Sequence, residues 1–229
     1  MIAAELLSTT SQVIGWLLYL PVLLWAIARA PWVELFSDLR RQHLLFGTAL
    51  ALFVLWLVRR DFDSGLSYHF IGITAVTLLL DWPLAILAGL AAQIGMLLLG
   101  RHDLAALGMN GVLLVLIPVA VTEYCALRVE RAQPRNLFVY IFFCGFFPAA
   151  LAMLLCIVAG LGVLWVDGLF PMPPLLDDFV GYLWLIVFPE AFINGMIVTA
   201  LVVFYPDWLE TFNRSRYLSV PWKDDEPPR

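Results

Sequence analysis

Residues 136–165 read NLFVYIFFCGFFPAALAMLLCIVAGLGVLW, thirty positions without one Asp, Glu, Lys or Arg. As a helix the run would be about 45 Å long, against a bilayer core of about 30 Å. It must tilt, kink at Pro148 or project from the membrane; a re-entrant pair is the alternative. Outward from it lie six further apolar runs, at 11–29, 42–58, 66–82, 83–99, 104–127 and 178–205. The chain has 229 residues, 62% of them hydrophobic and 14% charged, and its mean hydropathy is +0.91. A soluble domain is roughly half apolar and a quarter charged, so lipid must solvate the excess. The reading is an all-α, polytopic membrane bundle of seven spans in the cell membrane, with one transmembrane domain at 1–212 and a polar tail at 213–229.

The connectors punctuate helices. Asp81-Trp82-Pro83 offers an acid and a helix-starting proline, and Gly100-Arg101-His102-Asp103 ends one helix and begins the next. Pro134 precedes the sixth run, and Pro171, Pro173 and Pro174 precede the seventh. The end of the tail, Asp224 to Arg229, is polar and is expected to be disordered. With seven crossings, Arg29, Arg40, Arg41, Arg128, Arg131, Arg135, Arg214, Arg216, Lys223 and Arg229 share one side. Arg59, Arg60 and Arg101 take the other. The positive-inside rule makes the richer side cytoplasmic, with the N-terminus outside and the tail inside. No basic stretch precedes the first run, so that run is expected to stay in the mature protein.

The third run is thin. Its apolar part, from Tyr68 to Leu80, covers only about 20 Å. It must borrow polar neighbours, or its entry loop must sit at membrane depth, where irregular backbone has to be buried in protein or line a wet cavity. The loop from Asp61 to His69 is therefore the first place to look for a site.

Polar groups at membrane depth are costly, and each is a functional candidate. They are His69, Gln93, Asn110, Glu123, Glu190 and Asn194. His69 is either a metal ligand or an imidazole satisfied by a nearby carbonyl or Ser67. Gln93 suits an interhelical hydrogen bond. Asn110 is flanked by glycines that permit close helix contact. Met109 adds a soft sulfur or simply packs. Glu123, a turn from Arg128, is expected to snorkel. Pro189 frees a carbonyl beside Glu190, and Asn194 lies one turn on along the same face. His102 and Asp103 form a loop that either caps a helix or offers ligands. Cys125, Cys144 and Cys156 have neither metal-finger nor redox spacing and read as small buried hydrophobes. There is no Gly-x-x-x-x-Gly-Lys loop, no His-Glu-x-x-His and no Gly-x-Ser-x-Gly elbow. An intramembrane enzyme is thereby disfavoured, no intrinsic cofactor is called for, and nothing suggests nucleic acid.

Four segments in order, Gly65-Leu66-Ser67-Tyr68-His69, Gln93 to Gly100, Leu104 to Asn110 and Pro189-Glu190-Ala191, resemble the cobalt/nickel permeases of energy-coupling-factor ABC transporters, the CbiM/NikM type. The resemblance implies a substrate-binding permease with an outside N-terminus. It implies a separate transmembrane coupling subunit and cytoplasmic ATPases as partners. It also implies a transition metal ion as substrate, with His69 as the downstream metal-binding histidine. The family carries a His directly after the initiator Met, and its side chain helps form a square-planar site; this chain has Ile2. Any metal at His69 then needs further donors, and the candidates are the Met1 amine, Asp63, His102, Asp103 and Met109. The other reading is a non-transporting membrane protein that assists metal homeostasis or metalloprotein assembly.

Overall fold

The computed structural model describes residues 1–61, 65–169 and 173–218. After a short 3-10 turn at Ala4–Leu6 come α1 (Thr9–Arg29), α2 (Trp32–Ser37) and α3 (Leu39–Leu57). A small antiparallel hairpin of β1 (Arg59–Asp61) and β2 (Ser67–His69) follows. Then come α4 (Ile73–Leu80), α5 (Trp82–Leu98), α6 (Leu104–Ala132), α7 (Leu137–Val166), α8 (Pro173–Phe204) and α9 (Arg214–Leu218). Each of the seven apolar runs carries a helix, and the architecture is an all-α membrane bundle. Among the described residues four stretches are long and apolar enough to cross a bilayer: Thr9–Arg29, Leu104–Ala132, Leu137–Val166 and Leu183–Phe204. The run at 136–165 is a single continuous helix and not a re-entrant pair.

Both α6 and α7 widen to π-helical geometry in one segment, Val112–Leu116 and Ile141–Phe146, each ending two residues before a proline, Pro118 or Pro148. A proline ring clashes with the carbonyl four residues back and has no N–H to bond it, and a wider turn relieves the clash. In α6 the last π bond runs from Ile117 N–H to Val112 O. The next acceptor, Leu113 O, would need the N–H that Pro118 lacks. The Cys156 thiol on α7 donates to it instead. Cys156 is thus more than the inert hydrophobe its surroundings suggest.

The helices meet where side chains are small. A Cβ on Gly108 of α6 would lie 2.7 Å from the Trp16 nitrogen of α1, and one on Gly15 would collide with the Met109 backbone. The glycines of Leu-Gly-Met-Asn-Gly therefore serve the α1–α6 crossing. Gln93 accepts from Tyr19 Oη at 2.9 Å and donates to Leu107 O at 3.3 Å, which ties α1, α5 and α6 together.

At the centre stands α4, whose eight residues are all buried. The sequence allows a longer third helix, but residues 70–72 are not helical and Gly72 is left-handed at φ 71°. The thin run is completed by a protein-covered loop, in which Leu66, His69, Ile71 and Gly72 are buried. At its N-terminal end the Glu190 carboxylate accepts the N–H groups of Ile71 and Gly72, both at 2.8 Å, and Asn194 Oδ1 accepts from Ala75 at 2.9 Å. At the other end Thr211 Oγ1 donates to Leu78 O at 3.0 Å, and the Glu210 and Thr211 N–H groups face Leu79 O and Leu78 O at 3.4 Å. A buried helix has no water for its terminal groups, and here α8 and the chain just after it supply them.

The first part of the tail is packed. Tyr217 is buried against Phe212 and Tyr140, and Arg216 pairs with Glu130 at 2.6 Å. The tail end at 224–229 lies outside the described residues. Arg128 sits over the Tyr124 ring, and Glu123 Oε2, expected to reach outward, is buried with no hydrogen-bond partner among the described residues.

Candidate metal site under the folded-back N-terminus

The N-terminal residues return to the mouth of the bundle and pair with the hairpin. Ile2 bridges Leu66 in antiparallel fashion, Ala3 N–H donates to Gly65 O at 3.1 Å, and Ser67 N–H donates to Met1 O at 3.0 Å. The Met1 ammonium donates to Ser67 O at 2.8 Å. Gly65 turns the chain at φ 79°, a conformation that side chains disfavour. From α6, Asn110 holds residue 2 by both its backbone groups. Its Oδ1 accepts from Ile2 N–H and its Nδ2 donates to Ile2 O, each at 2.9 Å. The Asn110 amide is fully buried and is spent on fixing the N-terminus.

His69, on β2, faces Phe70 O with Nδ1 at 2.9 Å. A carbonyl only accepts, so Nδ1 carries the proton and Nε2 keeps its lone pair. Nε2 is buried and has no hydrogen-bond partner among the described residues. A metal-ligating histidine is commonly oriented in this way, with the second nitrogen fixing the tautomer. Trp56 supports the ring at 5.5 Å and itself donates to Ile71 O. His69 lines a cavity of about 70 Å³ together with Met1, Ile2, Asn110, Met153 and Cys156.

On the other side of Met1 lies an outer cleft of about 180 Å³, bounded by Arg59, Arg101, His102 and Asp103. His102 Nε2 is 2.6 Å from Met1 Sδ, and Arg59 donates to the same sulfur at 3.6 Å. Burial, then the nearby N-terminal ammonium and Arg59, push His102 down to about 4, so its imidazole is neutral.

Met1, His69 and His102 are thus brought together, and Asp103 lines the same cleft. Asp63 lies outside the described residues. Met109 is buried at the α1 crossing and lines neither space. Glu190 and Asn194 hold the start of α4, two residues and more beyond His69. Two sulfurs escaped the sequence reading. Met153 and Cys156, three apart on α7, share a helix face and line the inner cavity. Their spacing was visible, but nothing local said which face of α7 meets the hairpin. Among the described residues no three His, Cys, Asp or Glu side chains converge as a metal cluster.

A search of curated proteins finds no match. A solved structure described as a truncated transition metal transporter shares the fold, with a TM-score of 0.68 at 18% identity, covering 88% of this chain and 98% of that one. The family model for the cobalt uptake substrate-specific transmembrane region matches residues 2–208. With nearly the whole bundle matched, the chain belongs to the CbiM family, the cobalt uptake substrate-specific transmembrane region.

Proposed function

We propose that this chain is the substrate-binding permease of an energy-coupling-factor transporter, taking up a transition metal ion through the cavity beneath Met1 and Ile2. The observation that carries the reading is His69. Its Nδ1–H is committed to Phe70 O, and its Nε2 lone pair is left buried beside the docked N-terminus. A lone imidazole in an apolar wall is expensive unless something binds it. A metal ion supplies that partner, and the family places the chain in metal uptake.

Energy must come from elsewhere, since the sequence carries no nucleotide-binding loop. A transmembrane coupling subunit and cytoplasmic ATPases are the partners this reading requires. The N-terminus faces outward and the tail faces the cytoplasm, as the arginine distribution demands.

Reconstitution into liposomes tests the reading. Uptake of a panel of Ni(II), Co(II), Zn(II) and Cu(I) is measured with and without the coupling subunit and ATPases, for wild type and His69→Ala. Uptake should need both ATP hydrolysis and His69. Accumulation by the purified chain alone, or wild-type rates from His69→Ala, would overturn it. Ile2→His adds an imidazole at the docked N-terminus and should raise nickel or cobalt affinity.

A further inference from the structure

We propose that the inner cavity is built for a soft monovalent d10 cation, of the Cu(I) class, bound by His69 Nε2, Cys156 Sγ and Met153 Sδ. The inference rests on the reading of this cavity as the substrate site and narrows it to a chemical class of ion.

The donor set decides. Ile2 contributes hydrocarbon to the cavity, and its N–H is donated to Asn110. Both ends of the Asn110 amide are occupied by residue 2. Among the described residues no carboxylate lines the cavity. Besides the Met1 amine, which donates to Ser67 O, and the hydroxyls of Ser67 and Tyr68, the groups with ligating character are an imidazole nitrogen, a thiol and the thioethers of Met153 and Met1, a predominantly soft set. Soft thiolate and thioether ligands select Cu(I), whereas Ni(II) and Co(II) are served by harder or more numerous nitrogen and oxygen donors. Cys156 and Met153 sit three apart on one face of α7, and His69 faces them from the hairpin.

Charge points the same way. A buried ion is tolerated only when it is neutralised. One thiolate balances one monovalent cation, while a divalent ion in the same cavity would add a further positive charge beside the Met1 ammonium. The step is a simple exchange. Cys156 now donates its S–H to Leu113 O. On binding, the S–H bond is replaced by an S–metal bond and the proton leaves to solution. No electron moves, so the ion must arrive already reduced. Beyond the cavity the donors continue outward. Met1 lines both the cavity and the outer cleft, and its sulfur lies against His102 Nε2. A thioether and a neutral imidazole at the mouth form a first landing point for the same class of ion.

The test is anaerobic titration of the purified full chain with Cu(I) against a colorimetric Cu(I) chelator, with Ag(I) as a redox-inert probe and Co(II) and Ni(II) in parallel. Wild type should take up Cu(I) and Ag(I) stoichiometrically with proton release, and X-ray absorption should show sulfur scatterers with nitrogen. Cys156→Ser and His69→Ala should each weaken Cu(I) by at least roughly tenfold, and Met153→Leu by less. Met153→Leu keeps the volume and apolarity of the site, so it remains informative if Cys156→Ser fails to fold. Cu(I) affinity unchanged in all three variants would overturn the proposal. Tight Co(II) or Ni(II) binding through His69 without Cu(I) binding would overturn it too, while leaving the uptake reading intact. No binding of any of these ions would remove both.

Discussion

Replacing Glu190 by Ala removes the group that terminates α4. In the wild type its two oxygens accept the N–H groups of Ile71 and Gly72 at 2.8 Å, and Oε1 also accepts from Asn194. The following helix is buried throughout, so water cannot replace the carboxylate. Asn194 keeps its bond to Glu190 O, so the Ile71 and Gly72 donors are orphaned, and at about 1–3 kcal/mol each Glu190→Ala costs about 2–6 kcal/mol. That is a large fraction of the about 5–15 kcal/mol typical of a folded protein. Glu190→Gln keeps one acceptor oxygen and loses the other, and should cost about half as much. Equilibrium unfolding in mixed detergent micelles, followed by Trp fluorescence, measures both variants. Because Ile71 is two residues from His69, metal affinity should fall in the same order, Ala below Gln below wild type. Glu190→Ala as stable as wild type would refute the reasoning, since it would mean that the N–H groups find other acceptors.

Gly108→Ala should destabilise by about 1–3 kcal/mol, because the new methyl meets the α1 backbone, whereas Gly162→Ala on α7 meets nothing and should be neutral or slightly stabilising; the same unfolding assay separates them. Asp167 joins the end of α7 to the start of α1 by accepting from Ser8 and Ser11. Burial works to raise its carboxyl, but these hydrogen bonds outweigh it and hold the group below the usual range. A carboxyl depressed in the fold contributes stability that is full above its unfolded value and is lost as the pH falls through its folded one. Wild type should therefore lose a small increment of melting temperature between about pH 5 and pH 2, and Asp167→Asn should lack that step. A reporter active only in the cytoplasm should work when fused to the C-terminus, and one active only outside should not.

The charge-free run at 136–165 was legible as one helix because nothing but lipid or protein can solvate it, and Pro148 marked where its geometry changes. The loop before α4 was legible by arithmetic, since Tyr68 to Leu80 is too short for a helical crossing. The site itself was legible only in part. His69 announced itself as a polar residue at depth. The strand that covers it comes from Met1 to Ala3, far away in sequence and with no alternation long enough to read. Asn110 was legible as a polar residue at membrane depth between glycines, but its partner is the backbone of residue 2, which no side-chain pattern records. Cys156 could be paired with Leu113 only once Pro118 was seen to lack the N–H that this carbonyl needs.

The two-ended anchoring of α4 has a mechanical consequence. This helix is about 12 Å long, with Glu190 and Asn194 gripping one end and Glu210 and Thr211 meeting the other. It cannot slide along its axis without breaking bonds at one of them, and it has no exposed turn that could fray. A shift of the His69 loop would therefore be transmitted as through a strut. It arrives at residues 210–211, where Glu210 meets Arg41 on α3 and Thr211 meets Tyr140 on α7. A displacement at the mouth of the bundle would thus reach its far face with every helix intact.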